Sequence, residues 1–174
     1  MNHEDIRKQL EELVREFYKR KEAEKQFVPG KTFIQYSGDV ITYKEIVAVI
    51  NSLLDGRLAT GKRIEQFERA FADYLGVKDV ETVSSGSDAD MIAINALTNP
   101  HLKSPMKNGD EILTCALNFA TPISSILQNN LRPVLVDTKL GNYTMDTSML
   151  EDAISEKTKA ILAVHIFGNS CNMD

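Results

Sequence analysis

The chain has 174 residues, the length of one ordinary domain, with 43% apolar residues, 26% charged residues and a formal net charge of -5. That balance suits a globular fold with a real core and argues against a nucleic-acid surface, because Lys and Arg form no long or clustered run. The longest apolar runs, such as residues 160–164, are far too short to span a bilayer, and the charged amino terminus has no signal-peptide pattern, so the chain reads as cytoplasmic with no membrane partner.

Ile6, Leu10, Leu13, Val14, Phe17 and Tyr18 recur at helical spacing among charges of both signs. They predict an amphipathic helix over residues 3–26 that packs on the domain. Val28-Pro29-Gly30 breaks it, and an extended linker follows to about Gly38. Residues 1–36 therefore read as an amino-terminal helix and linker, and residues 37–174 as the body of the domain. A second helix starts near Thr42, buries Ile46, Val49, Ile50, Leu53 and Leu54, and stops at Gly56. A third runs over residues 62–75, with Ile64, Phe67, Phe71 and Leu75 on its apolar face and Gly76 just past its end.

After Gly76 short apolar strands (80–85, 111–115, 133–136, 159–166) alternate with helices (87–98, 120–128, 147–155). Such alternation predicts βαβ units around a largely parallel sheet, an α/β fold. Residues 160–166 are apolar on both faces, as expected of a central strand. The chain ends at Asp174 without a helix returning over that strand, so it reads as cut short.

Within this frame, Thr82-Val83-Ser84-Ser85-Gly86-Ser87-Asp88-Ala89-Asp90-Met91 reads as a phosphate cradle. A strand turning through Gly86 into a helix aims the first free N–H groups at one point, where the helix dipole favours an anion, and Ser87 adds a hydroxyl. A plain turn capped by Ser87 explains the same residues, and Asp88 and Asp90 would repel a phosphate unless they point away. In doubly wound sheets ligands lie beyond the carboxyl ends of the strands, so residues 84–88, 117–121 and 165–168 should converge on one crevice. There Phe119 could stack on a planar cofactor or serve as a core contact, and His165 could be a ligand, an acid–base group or a structural residue. Cys115 and Cys171 are too few and too far apart for a disulfide framework or a metal site. They read as buried or idle thiols, and no metal ligand is assigned.

Ser85-Gly86-Ser87, Gly109-Asp110-Glu111-Ile112-Leu113-Thr114, Asn118-Phe119-Ala120-Thr121, Pro133-Val134-Leu135-Val136-Asp137, Lys157-Thr158-Lys159-Ala160-Ile161 and His165-Ile166-Phe167-Gly168 occur in the order and spacing of one family. From about Ser37 onward the chain resembles the DegT/DnrJ/EryC1/StrS sugar aminotransferases and dehydrases. The resemblance implies the large domain of an aspartate-aminotransferase (type I) fold, truncated here, and use of pyridoxal 5'-phosphate (PLP) or pyridoxamine 5'-phosphate (PMP). Phe27-Val28-Pro29-Gly30, the insertion Thr98-Asn99-Pro100-His101-Leu102-Lys103-Ser104-Pro105 and Gly168-Asn169 are similar to the CDP-4-keto-6-deoxyglucose 3-dehydrase branch of lipopolysaccharide pathways.

The resemblance implies that Gly86 and the backbone amides of Ser87 and Asp88 hold the cofactor phosphate, and that Phe119 stacks on the pyridine ring. It also implies that Thr60 and Gly61, in Leu58-Ala59-Thr60-Gly61, face the nucleotide sugar. Asp88 and Asp90 depart from the small or neutral residues usual in relatives. The family's pyridine-pairing Asp, its Schiff-base Lys or substitute His, and the cysteines of its iron–sulfur members all lie downstream of this chain's end. No catalytic residue and no iron–sulfur cluster is therefore assigned, and dehydrase and aminotransferase share every motif present. Implied partners are a nucleotide sugar, a second copy in a homodimer and a reductase. A non-catalytic remnant of a truncated gene is the alternative of a different class.

Overall fold

The computed structural model describes residues 1–34, 38, 40–56, 59 and 61–173. The chain divides into two compact units, Met1–Thr82 and Val83–Asp174. The boundary expected at residues 36/37 lies outside the described residues.

The first unit holds three helices, α1 (His3–Glu24), α2 (Tyr43–Leu54) and α3 (Lys62–Leu75). Their ends follow from local chemistry. The Asn2 side chain accepts from the Asp5 N–H at 2.8 Å while the Asp5 carboxylate accepts from the Asn2 N–H at 3.0 Å, a reciprocal capping box, and Thr42 and Glu45 repeat the device on α2. Gly76 ends α3 at φ 68°, a conformation that disfavours a side chain. Arg7 of α1 reaches both Asn51 Oδ1 and Asp55 Oδ1 at 2.8 Å, Arg63 of α3 reaches Asp55 Oδ2 at 3.3 Å, and the Arg15 guanidinium lies 4.8 Å from the Tyr43 ring centre. Polar contacts thus tie the three helices.

Burial does not match the expectation for this unit. Val49, Leu53, Leu54, Phe67, Phe71 and Leu75 are each at least 40% exposed, and among the described residues of the unit only Ala72 is buried. Periodicity marks an apolar face but supplies no cover for it. On α3 the rings partly cover one another, with centroids 5.4 Å apart for Phe67 and Phe71 and 6.2 Å apart for Phe71 and Tyr74.

The second unit is a parallel sheet, β1 (Glu111–Cys115), β2 (Arg132–Val136) and β3 (Thr158–Leu162), in the order β2-β1-β3. It also contains α4 (Gly86–Leu97), α5 (Ala120–Gln128), a short 3-10 turn (Thr147–Met149) and α6 (Leu150–Ala153). All five residues of β1 are buried, and their alternation splits the core in two. On one face Ile112 packs with Ile94 of α4, Met106, Ile126 of α5 and Leu131. On the other Leu113 and Cys115 pack with Val136 and Met145, backed by Leu150 and Ala153 of α6. The chain leaves β1 through α5 to β2 on one side, then passes through α6 to β3 on the other, so the sheet has a topological switch point at β1.

Three expectations need correction. Residues 80–85 form no strand; instead Thr82 donates its N–H and its hydroxyl to the Glu68 carboxylate, each at 2.8 Å. The helix expected over residues 147–155 shrinks to the 3-10 turn and the four-residue α6. The run expected as a central strand ends at Leu162 and pairs only with β1, so among the described residues β3 is an edge and β1 is the centre. Apolarity on both faces cannot by itself report which strands are neighbours.

Candidate cofactor site

A crevice of about 480 Å³ opens where the carboxyl ends of β1 and β3 meet the amino termini of α4 and α5. Gly86, Ser87 and Asp90 line it from α4, Asn118, Phe119, Thr121 and Pro122 from the segment after β1, and Leu162 to His165 from the end of β3. It lies at the switch point, where an open α/β sheet leaves room for a ligand. The three segments expected to converge do so, although Phe167 and Gly168 are not in the lining.

The α4 terminus is built by Ser85. Its extended backbone (φ -159°, ψ 164°) makes it the N-cap, and its Oγ accepts from the Asp88 N–H at 3.1 Å. The Gly86 and Ser87 N–H groups have no acceptor among the described residues, as at any first helical turn. Of the amides expected to hold a phosphate, Ser87's is therefore open and Asp88's is engaged by Ser85. Gly86 itself adopts an ordinary helical backbone, and a Cβ there would meet nothing within 4 Å. Its value is open space rather than conformational freedom.

Asp88 sits across this helix end. Ser84 Oγ donates to its Oδ2, as does Ser85 Oγ at 3.0 Å, and these hydroxyls, Ser84's first, hold its carboxyl below the ordinary aspartate value. A phosphate at the Gly86 and Ser87 amides would meet a carboxylate already directed at two serines. Asp90 is turned toward α5, accepting from Thr121 Oγ1 at 3.3 Å.

Phe119 is 74% exposed, so its ring is available at the crevice and contributes little to the core. Asn118 beside it, the first residue of the Asn118-Phe119-Ala120-Thr121 motif, is held from one side only. Its Nδ2 donates to Thr114 Oγ1 at 3.2 Å, Thr114 Oγ1 donates to the Leu162 carbonyl at 3.0 Å, and its Oδ1 is buried without a donor among the described residues. His165 accepts the Cys171 N–H on Nδ1 at 3.0 Å. Thr114 lies in a strand, where four-residue spacing signals no contact, so only the fold shows its tie to Asn118 and brings Cys171 back to His165.

Cys115 and Cys171 are both buried free thiols, and desolvation pushes the Cys115 thiol up from its ordinary value. Cys171 Sγ donates to the Val164 carbonyl at 3.0 Å. Of the expected sugar-facing pair, Thr60 lies outside the described residues. Gly61 is the N-cap of α3 and lines a separate cavity of about 510 Å³ in the first unit, beside Asp55, Lys62 and Arg63.

The residues fit a phosphorylated aromatic group in three respects: open amides at a helix start, an exposed ring, and an orphaned buried acceptor on a residue of the same lining. The Asp88 carboxylate is the group that opposes it.

Fold and site together define an α/β protein with a crevice at the switch point of a parallel sheet. The chain belongs to the DegT/DnrJ/EryC1/StrS aminotransferase family, whose profile matches residues 39–174. It is 38% identical over 174 residues to the lipopolysaccharide biosynthesis protein RfbH of Salmonella typhimurium, covering 99% of this chain and 40% of that one. Among solved structures it is similar to the Escherichia coli GDP-4-keto-6-deoxy-D-mannose-3-dehydratase with bound hydrated PLP, at TM-score 0.68 and 31% identity over 75% of this chain and 33% of that one. It is also similar to a Streptococcus pneumoniae protein assigned as a sugar aminotransferase, in its PMP form, at TM-score 0.70 and 29% identity over 81% of this chain and 34% of that one. The fold is thus part of that of the PLP-dependent sugar aminotransferases and dehydratases. The chain spans between a third and two fifths of the length of these relatives, 33% to 40%.

Proposed function

We propose that the chain forms the cofactor-binding part of a PMP-dependent nucleotide-sugar 3-dehydrase, acting on a CDP-4-keto-6-deoxyhexose in deoxysugar and O-antigen biosynthesis. The observation that carries this reading is the crevice, where the open amides of Gly86 and Ser87 and the exposed Phe119 ring line one 480 Å³ space. Similarity to RfbH over 99% of the chain supports the dehydrase branch.

When bound, the cofactor supplies a reactive amine and an electron-accepting ring. This chain's residues bind and orient. The Gly86 and Ser87 N–H groups and the Ser87 hydroxyl hold the phosphate, with the α4 dipole adding to the attraction. Asp88 adds its N–H once Ser85 Oγ releases it, and Phe119 covers one face of the ring and excludes water there. Thr60 and Gly61 face the nucleotide sugar, residues 37–174 form the start of the large domain, and the working enzyme is a cytoplasmic homodimer served by a reductase. The proton acceptor is not assigned to any residue of this chain. A second reading, part of a PLP-dependent sugar aminotransferase, is supported by the likeness at TM-score 0.70 to the Streptococcus pneumoniae protein. A non-catalytic remnant is the third, supported by the uncovered apolar faces of α2 and α3.

The test is a titration of the purified chain with PMP followed by cofactor fluorescence. Saturable binding, competed by inorganic phosphate and weakened about tenfold in Phe119→Ala, is expected from the worth of one ring stack. Absence of saturable binding would sink the reading for this chain.

A further inference from the structure

Two side chains in the crevice lining are each fixed on one side and, among the described residues, unpartnered on the other. The Thr114 hydroxyl has one hydrogen, and it is spent on the Leu162 carbonyl at 3.0 Å. Thr114 Oγ1 can therefore only accept from Asn118, which fixes the Asn118 amide with Nδ2 toward Thr114 and leaves Oδ1 as the free acceptor. Native interiors rarely leave a buried acceptor unfilled, so this oxygen calls for a donor. In the segment after β3 the Cys171 N–H donates to His165 Nδ1 at 3.0 Å, which makes Nε2 the nitrogen that carries hydrogen. Among the described residues nothing accepts from it. The two are linked through the sheet, since Thr114 pairs with Leu162 and His165 follows three residues later.

We propose that Asn118 and His165 act as a fixed acceptor and a fixed donor that read the ring substituents of the cofactor and make the crevice selective for its amine form. The inference rests on the cofactor reading above. PMP carries an amine and a phenolic oxygen on neighbouring ring carbons, so it offers a donor to Asn118 Oδ1 and an acceptor to His165 Nε2. PLP carries an aldehyde in place of the amine and offers two acceptors, leaving Asn118 Oδ1 unfilled. Because that oxygen is buried although Asn118 belongs to the lining, the lining has to settle around the ligand for the bond to form. Asn118 and His165 are binding residues in this scheme, and neither breaks a bond.

The test compares dissociation constants of the chain for PMP and for 4-deoxypyridoxine 5'-phosphate, which keeps the phosphate, ring and phenolic oxygen but has a methyl group in place of the aminomethyl. The chain should bind PMP about tenfold or more tightly than the analogue, the worth of one hydrogen bond to a charged amine. Asn118→Ala should bring that ratio to about one while leaving analogue binding nearly unchanged. His165→Phe should weaken both ligands by the same factor and keep the ratio. Should Asn118→Ala fail to fold by circular dichroism, Asn118→Asp takes its place, and because it retains an acceptor it should keep the preference. A ratio near one in the unmodified chain, an unchanged ratio in Asn118→Ala or a lost preference in Asn118→Asp would each overturn the proposal. Failure of both ligands to bind the unmodified chain would instead overturn the cofactor reading, and this inference with it.

Discussion

In Val83–Asp174 every residue of β1 is covered on both faces, whereas in Met1–Thr82 the apolar residues of α2 and α3 stay half open to water. Both units carry clear apolar periodicity, so periodicity is not what separates them. The sheet recruits distant segments, since β1 alone joins residues from α4, α5, β2, β3 and the α6 region into two clusters. The three helices of the first unit share ion pairs around Asp55, whose side chains are a third to a half exposed and which are individually weak. A core that supports a precise site belongs to the second unit, and the crevice is built there.

The sharpest way to break this contrast is Leu113→Ala. Leu113 is fully buried, so truncation should cost about 2–5 kcal/mol and lower the thermal midpoint by roughly ten degrees or more, measured by calorimetry. Amide exchange should rank the same way, with β1 slowest and α3 much faster. Uniform protection across both units would contradict the comparison.

A smaller effect tests the site's own scaffold. Ser85→Ala removes the side-chain cap of α4 and should cost about 1 kcal/mol, read from urea denaturation. It also frees the Asp88 N–H, so PMP binding should fall by less than stability does. Thr42→Ala removes the equivalent cap from α2, a helix with no buried residue, and should fray that helix by circular dichroism without moving the midpoint of the second unit.

Much of this was legible in the sequence because it is local. The helices at Thr42 and Lys62, the strand over residues 111–115 and the helix over residues 120–128 follow from caps, glycines and apolar runs that need no distant partner. The crevice was legible because parallel strands alternating with helices put their loops on one edge. What escaped was relational. The edge position of β3, the missing strand at residues 80–85 and the exposure of Phe67 and Phe71 each depend on which neighbour is present. The Asn118 relay escaped for the same reason, since it runs through a backbone carbonyl on another strand.

Acid should affect both units, with a sign set by their carboxylates. Asp55, Glu45 and Glu68 in the first unit and Asp88 and Asp146 in the second all have folded-state values held below the ordinary ones, each chiefly by hydrogen bonds from arginine, serine or threonine groups or from backbone N–H. A lowered carboxylate favours the folded state fully above its unfolded value, and that contribution is lost as pH falls through the folded value. Stability should therefore be flat near neutrality and decline below the ordinary carboxylate range. The first unit should lose its fold first, because no core remains there when the Asp55 cluster is neutralised. Far-ultraviolet circular dichroism against pH, with Asp55→Asn as the comparison, checks the order; loss of the sheet before the helices would reverse it.

The smallest expected effect is Phe71→Ala. In a closed core this truncation costs several kcal/mol, but Phe71 is 40% exposed and its main partners are the Phe67 and Tyr74 rings on the same helix. What it loses is two exposed ring contacts, each worth about 0.5–1.5 kcal/mol at most, while Ala raises the intrinsic helix propensity of α3 and offsets part of that loss. The net change in the isolated chain should stay within about 1 kcal/mol, read from the urea midpoint. A second copy docking on the α3 face would bury these rings and give Phe71→Ala a cost that grows with protein concentration. Midpoints measured at two concentrations a hundredfold apart distinguish the cases: equal shifts keep the face open to water, and a concentration-dependent shift means that the first unit finds its missing cover in another chain.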